Sequence, residues 1–163
     1  MRILTSLVAL CLALTTTACG SGPRPLVVGE DTCRFCRMTI DDVRFGALVE
    51  TARGRIETFD SIECLASFVL SLPAADTPRG IWVTDFEQPG QWLPVTQAQF
   101  LRDSRPQSPM GRSYAAFAAG ADLAALRARH GGEAVTWEAI LSTVRAERVP
   151  SSPSSPSSPG AMP

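Results

Sequence analysis

Residues 44–83 read RFGALVETARGRIETFDSIECLASFVLSLPAADTPRGIWV, and this stretch decides the fold. Arg44 to Thr51 alternates, with Phe45, Ala47 and Val49 on one face, the period-2 pattern of a half-buried strand. A turn around Gly54 leads to a second strand, Arg55 to Phe59, which completes a hairpin. Asp60 or Ser61 then caps a helix running through Leu72, with Glu63 in its first turn. Ile62, Leu65, Ala66, Val69 and Leu72 recur at helical spacing and form its apolar stripe. Pro73 stops the helix, because a proline ring cannot continue it, and Ile81-Trp82-Val83 follows as a strand. The order is β-β-α-β.

The next segment is expected to be a worn copy of that unit. Gln91-Trp92-Leu93-Pro94-Val95 reads as a weak strand, and Gly111-Arg112-Ser113-Tyr114-Ala115-Ala116-Phe117 echoes Gly54-Arg55-Ile56-Glu57-Thr58-Phe59. Asp122 opens a helix through His130, closed by Gly131-Gly132, and Glu133 to Trp137 supplies a final strand. A last helix carries Trp137, Ile140, Leu141 and Val144 on one stripe. The expected class is α+β: two β-β-α-β repeats, each a small antiparallel sheet crossed by a helix, plus a C-terminal helix.

Outside this core the chain reads differently. Residues 1–18 have the form of a signal peptide: Met1-Arg2, then an apolar run from Ile3 to Leu14 that is too short to span a bilayer. The run ends in Thr15-Thr16-Thr17-Ala18-Cys19, small residues before a cysteine, which resembles a bacterial lipobox with Thr16 where Leu is usual. Cys19 is the expected lipidation site, and ordinary secretion with cleavage near Ala18 is the alternative. Residues 19–31 read as a tether, 32–148 as the folded domain, and 149–163, with three Ser-Ser-Pro repeats, as a disordered tail. The expected location is the periplasmic side of a bacterial membrane, the outer membrane in a Gram-negative cell.

Composition narrows the chemistry. The chain has 163 residues, fifteen basic groups that are all Arg, and a net charge of −1, so it offers no electrostatic footprint for nucleic acid. It has five Cys and four Met against one His, His130. A His-rich metal site or a Ser-His triad would hang on that one imidazole, while sulfur is plentiful.

The sulfur is also clustered. Cys33-Arg34-Phe35-Cys36-Arg37-Met38 places two thiols and a thioether within six residues. Thiolate and thioether are soft donors suited to Cu(I), whereas zinc rarely takes Met. A Cys-x-x-Cys pair also fits a zinc knuckle, a redox dithiol or a structural disulfide. Arg34 and Arg37 are expected either to lower the thiol pKa values or to lie solvated at the surface. Cys64 lies about 200° around its helix from Ile62 and so falls off the apolar stripe, where it is able to pair with a Cys-x-x-Cys thiol or add a metal thiolate. Met110, in Ser108-Pro109-Met110-Gly111, sits in a loop, a usual place for ligands. His130 is expected to serve its helix C-terminus rather than a metal. Asp60, four residues before Cys64, leaves a lyase-like reaction as a minor possibility.

Taken together, Cys33-x-x-Cys36-x-Met38, Phe59-Asp60-Ser61-Ile62, Trp82-Val83-x-Asp85 and Ser108-Pro109-Met110-Gly111 resemble the NosL family of copper-binding lipoproteins associated with nitrous oxide reductase maturation. The resemblance spans Cys33 to about Ile140 and implies two β-β-α-β repeats, a fold shared with organomercurial lyases. It also implies Cu(I) held by Cys36 and Met38, then Met110, then Cys33, with no role carried over to Cys64. The expected function is a non-enzymatic, membrane-anchored Cu(I) metallochaperone delivering to an apo-cuproprotein, nitrous oxide reductase by family. A thiol–disulfide oxidoreductase using Cys33 and Cys36 is the runner-up, and a scaffold lipoprotein with a structural disulfide stands third.

Overall fold

The computed structural model describes residues 23–148; the signal peptide, Cys19 and the Ser-Pro tail lie outside the described residues. A 3-10 turn at Val43–Phe45 opens the first unit, so the strand expected from Arg44 begins later. Strand β1 (Ala47–Glu50) pairs antiparallel with β2 (Ile56–Phe59), Ala47 opposite Phe59. Gly54 makes the turn between them at φ +77°, a conformation that carries a steric cost for any residue with a Cβ. Helix α1 (Ile62–Ser71) follows, and its N-cap is Ser61, whose hydroxyl accepts the Cys64 N–H at 3.2 Å. The chain then returns as β3 (Gly80–Thr84) on the other side of β1.

The second unit repeats this plan with one correction. Trp92–Pro94 is indeed a strand, β4, but it pairs with β3 and closes the first sheet in the order β2-β1-β3-β4. The strand that opens the copy is β5 (Ala98–Arg102), followed by β6 (Ala115–Ala118), α2 (Leu123–His130) and β7 (Glu133–Val135). Its sheet order, β6-β5-β7, is the order β2-β1-β3 over again. β5 hides from a period-2 reading because adjacent Phe100 and Leu101 are both buried, each in a different cluster. Helix α3 (Trp137–Arg148) completes the chain. No helix among the described residues is long and apolar enough to cross a membrane.

The main core joins both units. Phe59, Ile62, Leu65 and Val83 of the first meet Phe100, Tyr114, Trp137, Ile140 and Val144 of the second and of α3. Each such side chain contributes roughly 1.5–3 kcal/mol by leaving water. Helix α1 lies between the first sheet and α3, so the whole stretch from Ile62 to Ser67 is buried, including Glu63, Cys64 and Ser67. Burial on both faces of α1 is what brings the off-stripe Cys64 inside.

Candidate metal centre

The Cys33–Met38 segment is a tight loop closed on itself. Cys33 N–H donates to the Met38 carbonyl (2.8 Å), Arg37 N–H donates to the Cys33 carbonyl (3.0 Å), and Arg37 takes φ +68°. The loop is stitched to strand β2, where Arg34 N–H reaches the Thr58 carbonyl and Thr58 Oγ1 donates to the Thr32 carbonyl. β2 runs directly into Asp60, Ser61 and α1, so the stitching sets the loop over the helix N-terminus.

Four donor groups converge there. One ligand atom from each of Cys33, Cys36, Asp60 and Cys64 lies within 4.8 Å of all the others. Cys33 is 0% exposed, Cys64 and Asp60 are 1% exposed, and Cys36 is half-buried. All three thiols are free. Cys36 Sγ donates to Asp60 Oδ2 across 3.1 Å. Asp60 Oδ1 is buried with no hydrogen-bond partner among the described residues.

The thiols share protons unequally. A hydrogen bond from Cys64 is the largest influence on Cys33 and, against burial, holds it down to about 6. The same contact, with burial, pushes Cys64 up. Burial is the largest influence on Cys36 and pushes it up to about 11, with Asp60 and Cys33 adding to the rise. Of the three, Cys33 is thus the thiol biased toward thiolate, while Cys64 and Cys36 are biased toward keeping their protons, which a thiophilic metal would have to displace. Arg34 is paired with Glu57, its Nε 3.4 Å from Oε2.

The thioethers lie at the surface. Met38 is 49% and Met110 41% exposed, and Phe35 is exposed as well. Met110, Phe35, Glu63, Cys64, Arg112 and Arg148 line one cleft of about 210 Å³, so Met110 and Cys64 face the same opening. The Arg148 guanidinium sits 5.9 Å above the Phe35 ring. The Met110 loop is fastened to α1 by Glu63, whose Oε1 accepts from Ser108 Oγ (2.5 Å) and Arg112 N–H (3.2 Å). Ser108 Oγ in turn accepts the Ser113 N–H at 2.9 Å. Burial pushes the Glu63 carboxyl up, opposed by its Ser108 hydrogen bond. A much larger hollow, about 690 Å³, is lined by Phe100, Trp137, Leu123 and Val135 and contains no sulfur donor.

His130 is elsewhere. Its Nε2 is 3.2 Å from Glu87 Oε1, and its ring packs against Phe86 and Phe117 at 5.2 and 5.6 Å. As a partner of the thiols, Asp60 is signalled in the sequence by its spacing from Cys64. Glu63 has no such signal, because Ser108 is 45 residues away and no local pattern links the two.

The protein is thus an α+β domain of two β-β-α-β repeats with a buried thiol–carboxylate cluster beside a cleft that Met110 lines. The chain belongs to the NosL family, whose model, described as NosL, matches residues 26–144. Among solved structures it is similar to the copper chaperone NosL from Shewanella denitrificans, with 20% identity and a TM-score of 0.58 over 71% of this chain and 93% of that one. No curated protein matches the chain.

Proposed function

We propose that this protein is a Cu(I) metallochaperone that carries its ion at the Cys33–Met38 loop and passes it to an apo-cuproprotein. The observation that carries the reading is the convergence of three free thiols, with Met110 lining the cleft that Cys64 also lines and Met38 exposed on the same loop as Cys33 and Cys36. Family membership and the likeness to a copper chaperone support it. Cys36 and Met38 would hold the ion first, Met110 would reach it from the facing loop, and Cys33 would supply a thiolate from below. Soft donors bind Cu(I) with few bonds, and a low-coordinate ion lets an incoming donor attach before the outgoing one leaves. The cargo enters and leaves on the same ligands, so the protein acts as a carrier and not as a catalyst.

The remaining layout belongs to the same proposal. Residues 1–18 direct export, Cys19 carries the lipid, 19–31 form the tether, 32–148 the copper domain and 149–163 a tail. Anchoring on the periplasmic side of a bacterial membrane would confine the search for the acceptor, which by family is nitrous oxide reductase.

Anaerobic competition for Cu(I) against a specific chelator tests the reading, with Cys36→Ser and Met38→Ala variants alongside. Both variants should lose copper to the chelator at concentrations where the parent retains it. Unchanged affinity in both would refute the assignment. A reversible Cys33–Cys36 disulfide couple, with turnover by a reductant and no retained copper, would favour the oxidoreductase reading instead.

A further inference from the structure

The deep side of the cluster has a different donor chemistry from its rim. Thioethers face outward, whereas inside, Cys33, Cys36 and Cys64 are joined by a carboxylate, Asp60. A carboxylate oxygen is a poor donor for Cu(I) and a good one for zinc-like ions. Asp60 Oδ1 is buried and unpartnered among the described residues, an arrangement that costs free energy and that a bound cation would relieve. A tetrahedral ion with bonds of about 2.3 Å to sulfur sets its sulfurs about 3.8 Å apart. The four donors already lie within 4.8 Å of one another, so only a small contraction closes them on such an ion.

We propose that Cys33, Cys36, Cys64 and Asp60 form a closed four-donor site for a divalent thiophilic cation of the Zn(II) class, distinct from the Cu(I) position at the rim. Three thiolates and one carboxylate carry the same charge as the four thiolates of an all-cysteine zinc site. The i, i+4 spacing of Asp60 and Cys64 astride the Ser61 cap fixes two of the donors, and the Cys33–Cys36 turn fixes the other two. Because the site shares Cys33 and Cys36 with the copper position, the two ions exclude each other. The zinc-like site adds Cys64 and Asp60 to those shared thiols, and it stands whether or not the protein carries copper.

The test uses the reduced full-length protein under anaerobic conditions, titrated with Cd(II) alone and, in a separate arm, with Cu(I) alone. One Cd(II) should bind per chain, with the thiolate-to-metal absorption of three sulfurs. Cys64→Ser should lower that absorption by about one third and weaken Cd(II) binding by more than about 100-fold, the upper end for losing an outer-sphere partner. Because Cys64 is buried, two further measurements avoid dependence on that variant. X-ray absorption of the unmutated Zn(II) form should show three sulfurs at about 2.3 Å and one oxygen near 2.0 Å. Asp60→Asn should weaken Cd(II) binding by at least about 10-fold. No Cd(II) binding by protein that binds Cu(I), or two or fewer sulfurs around zinc, would overturn the proposal. Cd(II) binding without Cu(I) binding would uphold it and overturn the copper reading instead.

Discussion

The two repeats share one topology and differ in what they enclose. In the first, the strand-to-helix junction from Phe59 to Cys64 is buried and carries two donors; in the second, the junction from Ala118 to Leu126 carries neither thiol nor thioether. α1 has six buried residues in its first two turns, whereas α2 buries only Leu126. The cause is α3, which covers the outer face of α1 and leaves α2 open to water. The hairpins differ in the opposite sense. β1 and β2 are joined by a tight turn at Gly54, while β5 and β6 are separated by residues 103–114, long enough to reach α1 and present Met110. One copy supplies the desolvated cluster and the other supplies an arm over it. Duplication gives two equivalent frames, and an added helix on one of them makes the site.

The largest effect should come from breaking the double burial of α1. Leu65→Ala empties a fully buried position between sheet and helix and should cost about 2–5 kcal/mol. Leu123→Ala, at the half-buried start of α2, should cost about 1 kcal/mol or less. Denaturant unfolding of both variants measures the difference, and equal losses would mean that α3 does not distinguish the two helices.

The first repeat was legible in the sequence because each of its signals is local. Gly54 marks the turn, Asp60-Ser61 the cap, which the structure assigns to Ser61, and Leu65 and Val69 the stripe. β5 was not legible, because a strand that buries neighbouring Phe100 and Leu101 in two different clusters shows no alternation. Trp92–Pro94 looked like the missing strand and is one, yet its partner is β3, a choice set by tertiary packing. Cys64 illustrates the same limit. Helical geometry correctly set it off the stripe, but the burial of that face depends on α3, about eighty residues further along. The Cys33–Met38 loop was legible as a soft-donor run, and its carboxylate floor only as a spacing between Asp60 and Cys64.

The contrast in chemistry can be sharpened with one residue from the loop docked on the first repeat and one from the second repeat. Cys36→Ser removes the half-exposed thiol of the cluster and should weaken Cu(I) binding by at least about 100-fold, or about 2.7 kcal/mol. His130→Ala should leave Cu(I) affinity unchanged, because its imidazole is engaged by Glu87 and two phenylalanine rings. Chelator competition on both variants reads the effect. A loss of affinity in His130→Ala would extend the site into the second repeat.

Glu63 is where the repeats are tied together. Glu63→Ala leaves Ser108 Oγ and the Arg112 N–H without their acceptor and should cost about 1–3 kcal/mol. Glu63→Gln keeps one acceptor oxygen and should cost less. Methyl NMR of methionine-labelled protein adds a local readout. In Glu63→Ala the Met110 resonance should move toward that of a free side chain, while Met38, held on its own closed loop, should not shift. Movement of both signals would indicate general loosening of the fold.

The smallest effect concerns the strap that leads into the first repeat and has no counterpart in the second. Asp31 pairs with Arg24 at 2.6 Å and accepts the Val27 N–H at 2.8 Å, while its own carbonyl accepts the Ile40 N–H. The Arg24 hydrogen bond is the largest influence on the Asp31 carboxyl and holds it below the ordinary range. A carboxylate depressed in the folded state stabilises it above the unfolded pKa, about 3.9, and loses that stabilisation as pH falls through the folded value. Arg24 is half-exposed, so solvent screening limits the contribution to under about 1 kcal/mol. Asp31→Asn should therefore be slightly less stable than the parent at pH 7, with the gap closing as the pH falls below the unfolded pKa and through the lowered folded one. A gap that stays constant across that range would show that the loss does not come from the charge of the carboxylate, since both the Arg24 pair and the Val27 hydrogen bond favour the ionised form.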